Sequence, residues 1–146
     1  MRIFITGASG TCGSALNSLP YEKVLFDKNK IIATPDDARF VQGDINNLDL
    51  LKQSMKGCEV VIHLAGSDYY PDFEMGDGLG SWNKYLENNI IGLKFVFDAA
   101  VDAGVEKMVF ASTHRVMGMY EKINAPMIYE LGHDILIDHL SPVRTD

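Results

Sequence analysis

The stretch Thr6-Gly7-Ala8-Ser9-Gly10-Thr11-Cys12-Gly13 constrains this chain more than any other. It follows the apolar run RIFIT at residues 2–6, which reads as a buried strand, and it opens GTCGSALNS at residues 10–18, which reads as a short helix stopped by Pro20. Few folds accept a strand that hands over to a helix through three spaced glycines. Gly7 permits a tight turn, Gly10 lets the backbone approach a ligand, and Gly13 lets the helix pack close to the strand. A helix N-terminus offers N–H groups to an anion, and the pattern TGxxGxxG suits a dinucleotide's pyrophosphate. Gly7, Ser9, Gly10, Thr11 and Gly13 are therefore candidate phosphate-binding residues. The bland alternative is a glycine-rich turn without a ligand.

Asp27 stands 20 residues after Gly7, at the end of a second apolar run (KVLFD, 23–27). An acidic residue at that distance is placed to hold a ribose 2′-hydroxyl and to repel a 2′-phosphate, which favours NAD over NADP. Lys28 and Lys30 follow and soften that preference. The same position also suits a plain strand-end aspartate in a turn.

The remaining pattern alternates in the same way. Residues 38–42 (ARFVQ), 59–64 (EVVIHL) and 107–111 (KMVFA) read as strands. Residues 46–56 read as a helix capped by Asn46 or Asn47 and stopped by Gly57, and a long helical stretch over about 79–103 closes at Gly104. Apolar strands alternating with helices imply a parallel sheet covered on both faces, a doubly wound α/β fold of about five strands. Ser67 to Gly80 is a long Gly-, Asp- and Tyr-rich loop, a length often tied to function. After Val116 the pattern weakens. Residues 127–140 read as a short helix or an extended arm, and 119–146 as a weakly structured C-terminal arm of a single domain spanning 1–146.

Composition closes off several classes. The 146 residues carry 13 basic and 20 acidic side chains, a net charge of -7, which disfavours nucleic acid as a partner. No apolar run approaches the roughly 18 residues of a membrane span, and the N-terminus lacks the shape of a secretion signal. Two cysteines, Cys12 and Cys58, suggest no disulfide framework, so the cytoplasm is the expected compartment. The four histidines, His63, His114, His133 and His139, show no metal-ligand spacing, and no metal is expected.

Taken with further motifs, the glycine loop resembles that of the extended short-chain dehydrogenase/reductases, the NAD-dependent epimerase/dehydratase group. Gly43-Asp44-Ile45 resembles the family's adenine-binding segment. His63-Leu64-Ala65-Gly66 is similar to the HxAG-type segment lining the cofactor, and Asn88-Asn89-Ile90-Ile91-Gly92 to its NNxxG, whose second asparagine (Asn89) helps hold the active-site strands. Phe110-Ala111-Ser112-Thr113 with Val116-Met117-Gly118 resembles the segment that carries a catalytic hydroxyl, here Thr113 with Ser112 beside it. VFASTHRVMGMY is most similar to the uronate-dehydrogenase-like branch. The resemblance implies a Rossmann domain binding NAD through Gly7, Ser9, Gly10, Thr11, Gly13, Asp27, Asp44, Ile45, Leu64, Ala65, Gly66 and Asn89. The substrate it implies is a sugar, sugar acid or nucleotide sugar. Each segment also has a plain structural role: Asp44 as a helix cap, His63 as a satisfied strand-end histidine, Asn89 as a backbone partner.

The family's hydride transfer at a carbinol carbon uses a tyrosine with a lysine four residues later, the cation favouring phenolate. None of the six tyrosines has a lysine four residues on. In the family that pair follows a segment similar to Ser141-Pro142-Val143-Arg144 by a few residues, so the expectation is a chain that stops before the catalytic helix and lacks the substrate part. Tyr129 with His133 is a poor substitute, because a neutral imidazole lowers a phenol's pKa little. The outcome expected is NAD binding without turnover, the alternative a non-catalytic dinucleotide-binding or subunit-interaction module. The helix around 82–101 is apolar on more than one side, which predicts self-association into a homo-oligomer through that segment.

Overall fold

The computed structural model describes residues 1–67, 82–130, 132, 138, 140, 141 and 143. The expected loop at 68–80, with Tyr69 and Tyr70, lies outside them, as do His133, His139 and most of 131–146. The chain forms two compact units, Met1–Ala111 and Ser112–Asp146.

The first unit is a five-stranded, wholly parallel sheet: β1 (Arg2–Thr6), β2 (Glu22–Asp27), β3 (Ala38–Gln42), β4 (Val60–His63) and β5 (Lys107–Phe110), in the order β3-β2-β1-β4-β5. This is a doubly wound Rossmann arrangement, with its reversal of strand order beside β1. Each strand falls within a residue or so of its sequence expectation. In β1, Ile3 and Ile5 face one side and Phe4 and Thr6 the other, and all four are buried. A run buried on both faces is what a central parallel strand requires.

The helices of this unit are α1 (Thr11–Ala15, continued by a 3-10 turn Leu16–Ser18), α2 (Leu48–Met55), α3 (Trp82–Leu86) and α4 (Leu93–Asp102). Phe4, Phe26 and Val61 pack against Leu51 and Met55 of α2 and Val96, Ala99 and Ala100 of α4. Ile3, Ile5 and Leu25 pack on the opposite face, with Leu16 and Leu19. Asn47, one of the two expected caps, accepts a hydrogen bond from Leu50 N at 3.1 Å. Gly57 and Gly104 stop their helices at φ of 74° and 69°.

Two features run against simple periodicity. The expected long helix contains a π-helical segment, Glu87–Gly92, between α3 and α4. The polar Lys23 is buried in β2, where its Nζ donates to Leu19 O (2.7 Å), Tyr21 O (2.8 Å) and Asp37 Oδ2 (2.6 Å). All three donors are used, which offsets the cost of burying the charge.

The second unit contains a 3-10 turn (His114–Met117), α5 (Gly118–Asn124) and a 3-10 turn (Met127–Tyr129). The expected weak C-terminal pattern missed α5. Among the described residues no helix is long and apolar enough to cross a membrane.

Candidate functional site

At the carboxyl ends of β1 to β4 lies a cleft of about 330 Å³. Doubly wound sheets bind ligands at that end, where the strand order reverses. The turn after β1 contributes Gly7, Ser9 and Gly10. The end of β2 gives Phe26, Asp27, Lys28 and Asn29, and the turn after β3 gives Gly43, Asp44 and Ile45. Leu64 to Ser67 after β4, with Asn88 from the π-helical segment, complete the wall.

The glycines of the first turn divide by role. Gly7 has φ 70°, and a Cβ there would lie 2.7 Å from Ala65 N, so the turn packs directly on the chain leaving β4. A Cβ on Gly13 would lie 2.2 Å from Gly7 O, so α1 rests on the turn itself. Gly10 is open by comparison, its nearest obstacle being Gly7 O at 3.3 Å, and it faces the cleft. No side chain caps α1, so none occupies its first-turn amides. Thr11 and Gly13 do not line the cleft; Thr11 is exposed on α1, and Gly13 is buried beneath it.

Asp27 is fixed from two sides. Its Oδ2 accepts from Ser9 N at 2.9 Å and its Oδ1 from Asn29 N at 2.8 Å. The carboxylate thus ties the glycine turn to the end of β2 while lining the cleft. On the far side, Gly43 makes room for its neighbours: a Cβ there would meet Leu50 Cδ2 at 2.5 Å and Phe26 Cζ at 2.7 Å.

The wall after β4 is held by polar contacts. Thr6 Oγ1 accepts from Leu64 N and Ala65 N, both at 3.2 Å, and lies 2.6 Å from His63 Nδ1. Burial lowers the His63 pKa to about 4, so the ring is neutral near pH 7. His63 therefore has the satisfied role open to a strand-end histidine, and it stacks on Phe110 with centroids 5.8 Å apart. Ser67 is gripped by both asparagines of the π-helical segment. Asn89 Oδ1 accepts from Ser67 N (2.7 Å) while Asn89 Nδ2 donates to Ser67 O (2.8 Å). Asn88 Nδ2 donates to Ser67 Oγ (2.5 Å).

The structure brings Gly7, Ser9, Gly10, Asp27, Asp44, Ile45, Leu64, Ala65 and Gly66 into the lining of one cleft. Asn89 instead holds the backbone behind that wall, and its neighbour Asn88 lines the cleft. Sequence reasoning passed over Phe26, Gly43, Ser67 and Asn88. Gly43 and Asn88 carried a signal, as members of the Gly43-Asp44-Ile45 and Asn88-to-Gly92 segments, whereas Phe26 and Ser67 carried none. Ser112 and Thr113 open the second unit, and both are exposed. Among the described residues no three His, Cys, Asp or Glu side chains gather as a metal site would need.

A dinucleotide fits this donor set: uncapped helix amides and an open glycine for phosphates, and two carboxylates spaced along a partly apolar cleft for hydroxyl and amino groups. The comparisons with known proteins agree. NAD-dependent glucose-6-phosphate dehydrogenase of Haloferax volcanii is 34% identical over 145 residues, covering 93% of this chain and 52% of that protein. The glucuronic acid dehydrogenase of Chromohalobacter salexigens superposes with a TM-score of 0.66 at 32% identity, covering 79% of this chain and 41% of that one. A mutant uronate dehydrogenase of Agrobacterium tumefaciens, complexed with NAD, gives a TM-score of 0.66 at 25% identity, covering 79% of this chain and 42% of that one. The chain spans about half the length of the curated relatives it matches. Residues 3–133 match the family described as NAD dependent epimerase/dehydratase, and with the cleft built from the same segments, the chain belongs to the NAD-dependent epimerase/dehydratase family.

Proposed function

We propose that this chain is the NAD-binding domain of an epimerase/dehydratase-type oxidoreductase acting on a sugar, sugar acid or nucleotide sugar. The observation that carries the reading is the cleft at the strand-order reversal, with the Gly7–Gly10 turn and Asp27 joined by the Ser9 N to Asp27 bond. Gly7, Ser9 and Gly10 take the pyrophosphate, with Thr11 and Gly13 carrying and seating the helix behind them. Asp27 takes the ribose hydroxyls, and Asp44 with Ile45 the adenine. Leu64, Ala65 and Gly66 run along the nicotinamide half, and Asn89 keeps that segment in place. NAD supplies the hydride acceptor.

Thr113, with Ser112 beside it, is proposed to hold a substrate hydroxyl. The substrate class rests on the relatives, which are named for glucose 6-phosphate and glucuronic acid. With no tyrosine followed by lysine at the fourth position, the 146-residue chain lacks the usual base and binds NAD without turnover. Calorimetric titration with NAD, followed by a nicotinamide-absorbance assay with uronates and hexose phosphates, tests both halves. Heat of binding without reduction is expected. No binding overturns the assignment, and hydride transfer overturns its second half.

We further propose that copies associate through residues 82–101. Exposed Trp82, Ile90, Ile91, Phe97 and Val101 support this.

A further inference from the structure

Asp44 lines the cleft, yet only one of its carboxylate oxygens is engaged. Oδ1 accepts from Asn46 N (2.9 Å) and Asn46 Nδ2 (3.0 Å). Among the described residues Oδ2 has no hydrogen bond. The Asn46 amide has a second N–H, which goes to Asn88 Oδ1 at 3.2 Å, and Asn88 Nδ2 goes on to Ser67 Oγ at 2.5 Å. Ser67 is itself held at both N–H and C=O by Asn89. The result is an unbroken chain of side-chain hydrogen bonds, Ser67 to Asn88 to Asn46 to Asp44, along the wall of the cleft.

The direction of every bond in this chain is fixed. Turning Asn46 over would set its carbonyl oxygen against the Asp44 carboxylate. Turning Asn88 over would set two amide N–H groups face to face. A chain with one permitted arrangement leaves Asp44 one permitted orientation, with Oδ2 free to accept a donor from a ligand. Beside it Ile45 offers an apolar surface in the same cleft. An acceptor-only oxygen next to an apolar side chain suits a flat aromatic base bearing an exocyclic amine.

We propose that Asn46, Asn88 and Ser67 are positioning residues for base recognition: they aim Asp44 Oδ2 at the 6-amino group of adenine and so set the preference for an aminopurine over an oxopurine. This rests on the proposed function, since it assumes that the adenine half of NAD lies at Asp44. The adjacency of Asn88 and Asn89 matters here. The π-helical segment lets both consecutive side chains reach Ser67, one holding its hydroxyl and the other its backbone. Gly92 closes that segment against Ile45, whose Cδ1 would lie 2.6 Å from a Cβ at that position.

The test is paired titration of NAD and nicotinamide hypoxanthine dinucleotide, in which an oxygen replaces the 6-amino group. Wild type should bind NAD about tenfold or more tightly, because the oxopurine presents an acceptor to a carboxylate. In Asn46→Ala and Asn88→Ala the ratio should fall to about threefold or less, with NAD weakened and the hypoxanthine analogue little changed. Ser67→Ala removes one hydroxyl and serves where either asparagine variant fails to fold; it too should lower the ratio. A purely structural role would weaken both dinucleotides alike and leave the ratio where it was. An unchanged ratio in folded variants overturns the inference, as does a wild type that binds both equally. Failure of wild type to bind NAD at all overturns the proposed function, and the inference with it.

Discussion

Thr6 on β1 and His63 on β4 meet side by side in the sheet, Oγ1 to Nδ1 at 2.6 Å, with both residues buried. The threonine oxygen already accepts from Leu64 N and Ala65 N, so its own proton goes to Nδ1. That assigns the neutral His63 ring the tautomer protonated at Nε2.

The stability consequence has a definite sign. In the unfolded chain His63 takes up a proton near pH 6.5, whereas in the fold burial holds its pKa to about 4. The unfolded state therefore binds more protons between those values, and stability falls as pH drops from 6.5 to 4. The loss is on the order of 2 kcal/mol at pH 5 and on the order of 3 kcal/mol at pH 4. Urea unfolding at pH 7 and pH 5 should show this difference, and His63→Gln should flatten it. A His63→Gln variant with the same pH dependence as wild type would remove His63 as its source.

Two glycines of the first turn should fail in different ways. Gly13→Ala drives a Cβ to 2.2 Å from Gly7 O, a backbone atom that cannot step aside. Overpacking of that kind costs about 1–3 kcal/mol, so a clear loss of thermal stability is expected. Gly10→Ala meets only Gly7 O, at 3.3 Å, but adds a methyl group to the cleft wall. It should leave the melting temperature within a few degrees of wild type and weaken NAD at least tenfold by calorimetry. The reverse pattern would contradict the placement of the pyrophosphate at Gly10.

Asp27 should set the choice between dinucleotides. Both carboxylate oxygens accept backbone N–H groups, from Ser9 and from Asn29. In Asp27→Asn one of these loses its acceptor, which costs about 1 kcal/mol, and the charge that repels a 2′-phosphate disappears. Lys28, which also lines the cleft, then stands unopposed. Weaker NAD binding and a ratio of NADP to NAD dissociation constants lowered by about tenfold are expected. An unchanged ratio would place the ribose elsewhere.

The central strands β1, β2 and β4 were legible in the sequence as short apolar runs bounded by turn residues, the pattern that burial inside a parallel sheet requires, and the more exposed edge strands β3 and β5 were legible from their length and their turn boundaries. The glycine turn was legible for a related reason: Gly7 and Gly13 sit where a Cβ would strike backbone. What stayed hidden depends on tertiary detail. Asn88 and Asn89 are chemically identical neighbours, and only the π-helical widening assigns one to the cleft and the other to Ser67's backbone. Lys23 lies buried in β2 because three acceptors from two loops converge on its Nζ, and no local pattern announces that. The helix at Gly118–Asn124 carries Met119, Tyr120 and Ile123 at helical spacing, but it is only seven residues long and ends just before Ala125-Pro126, too short for the period to stand out.

The proposed self-association through residues 82–101 rests on the two faces of α4. Val96, Ala99 and Ala100 are buried against the sheet, while Phe97 and Val101, one turn apart on the other side, are 45% and 81% exposed. Burying side chains of this kind contributes about 1.5–3 kcal/mol each, so a symmetric contact that covers both on two copies gains enough to offset part of the entropy of pairing. Sedimentation velocity should show dimers or larger species at micromolar concentration. The double variant Phe97→Glu/Val101→Glu should sediment as a monomer, because pairing would bury four like charges. Neither residue lines the cleft, so NAD affinity should stay within about twofold of wild type. A wild-type chain that remains monomeric at the highest concentration tested would remove residues 82–101 as an interface.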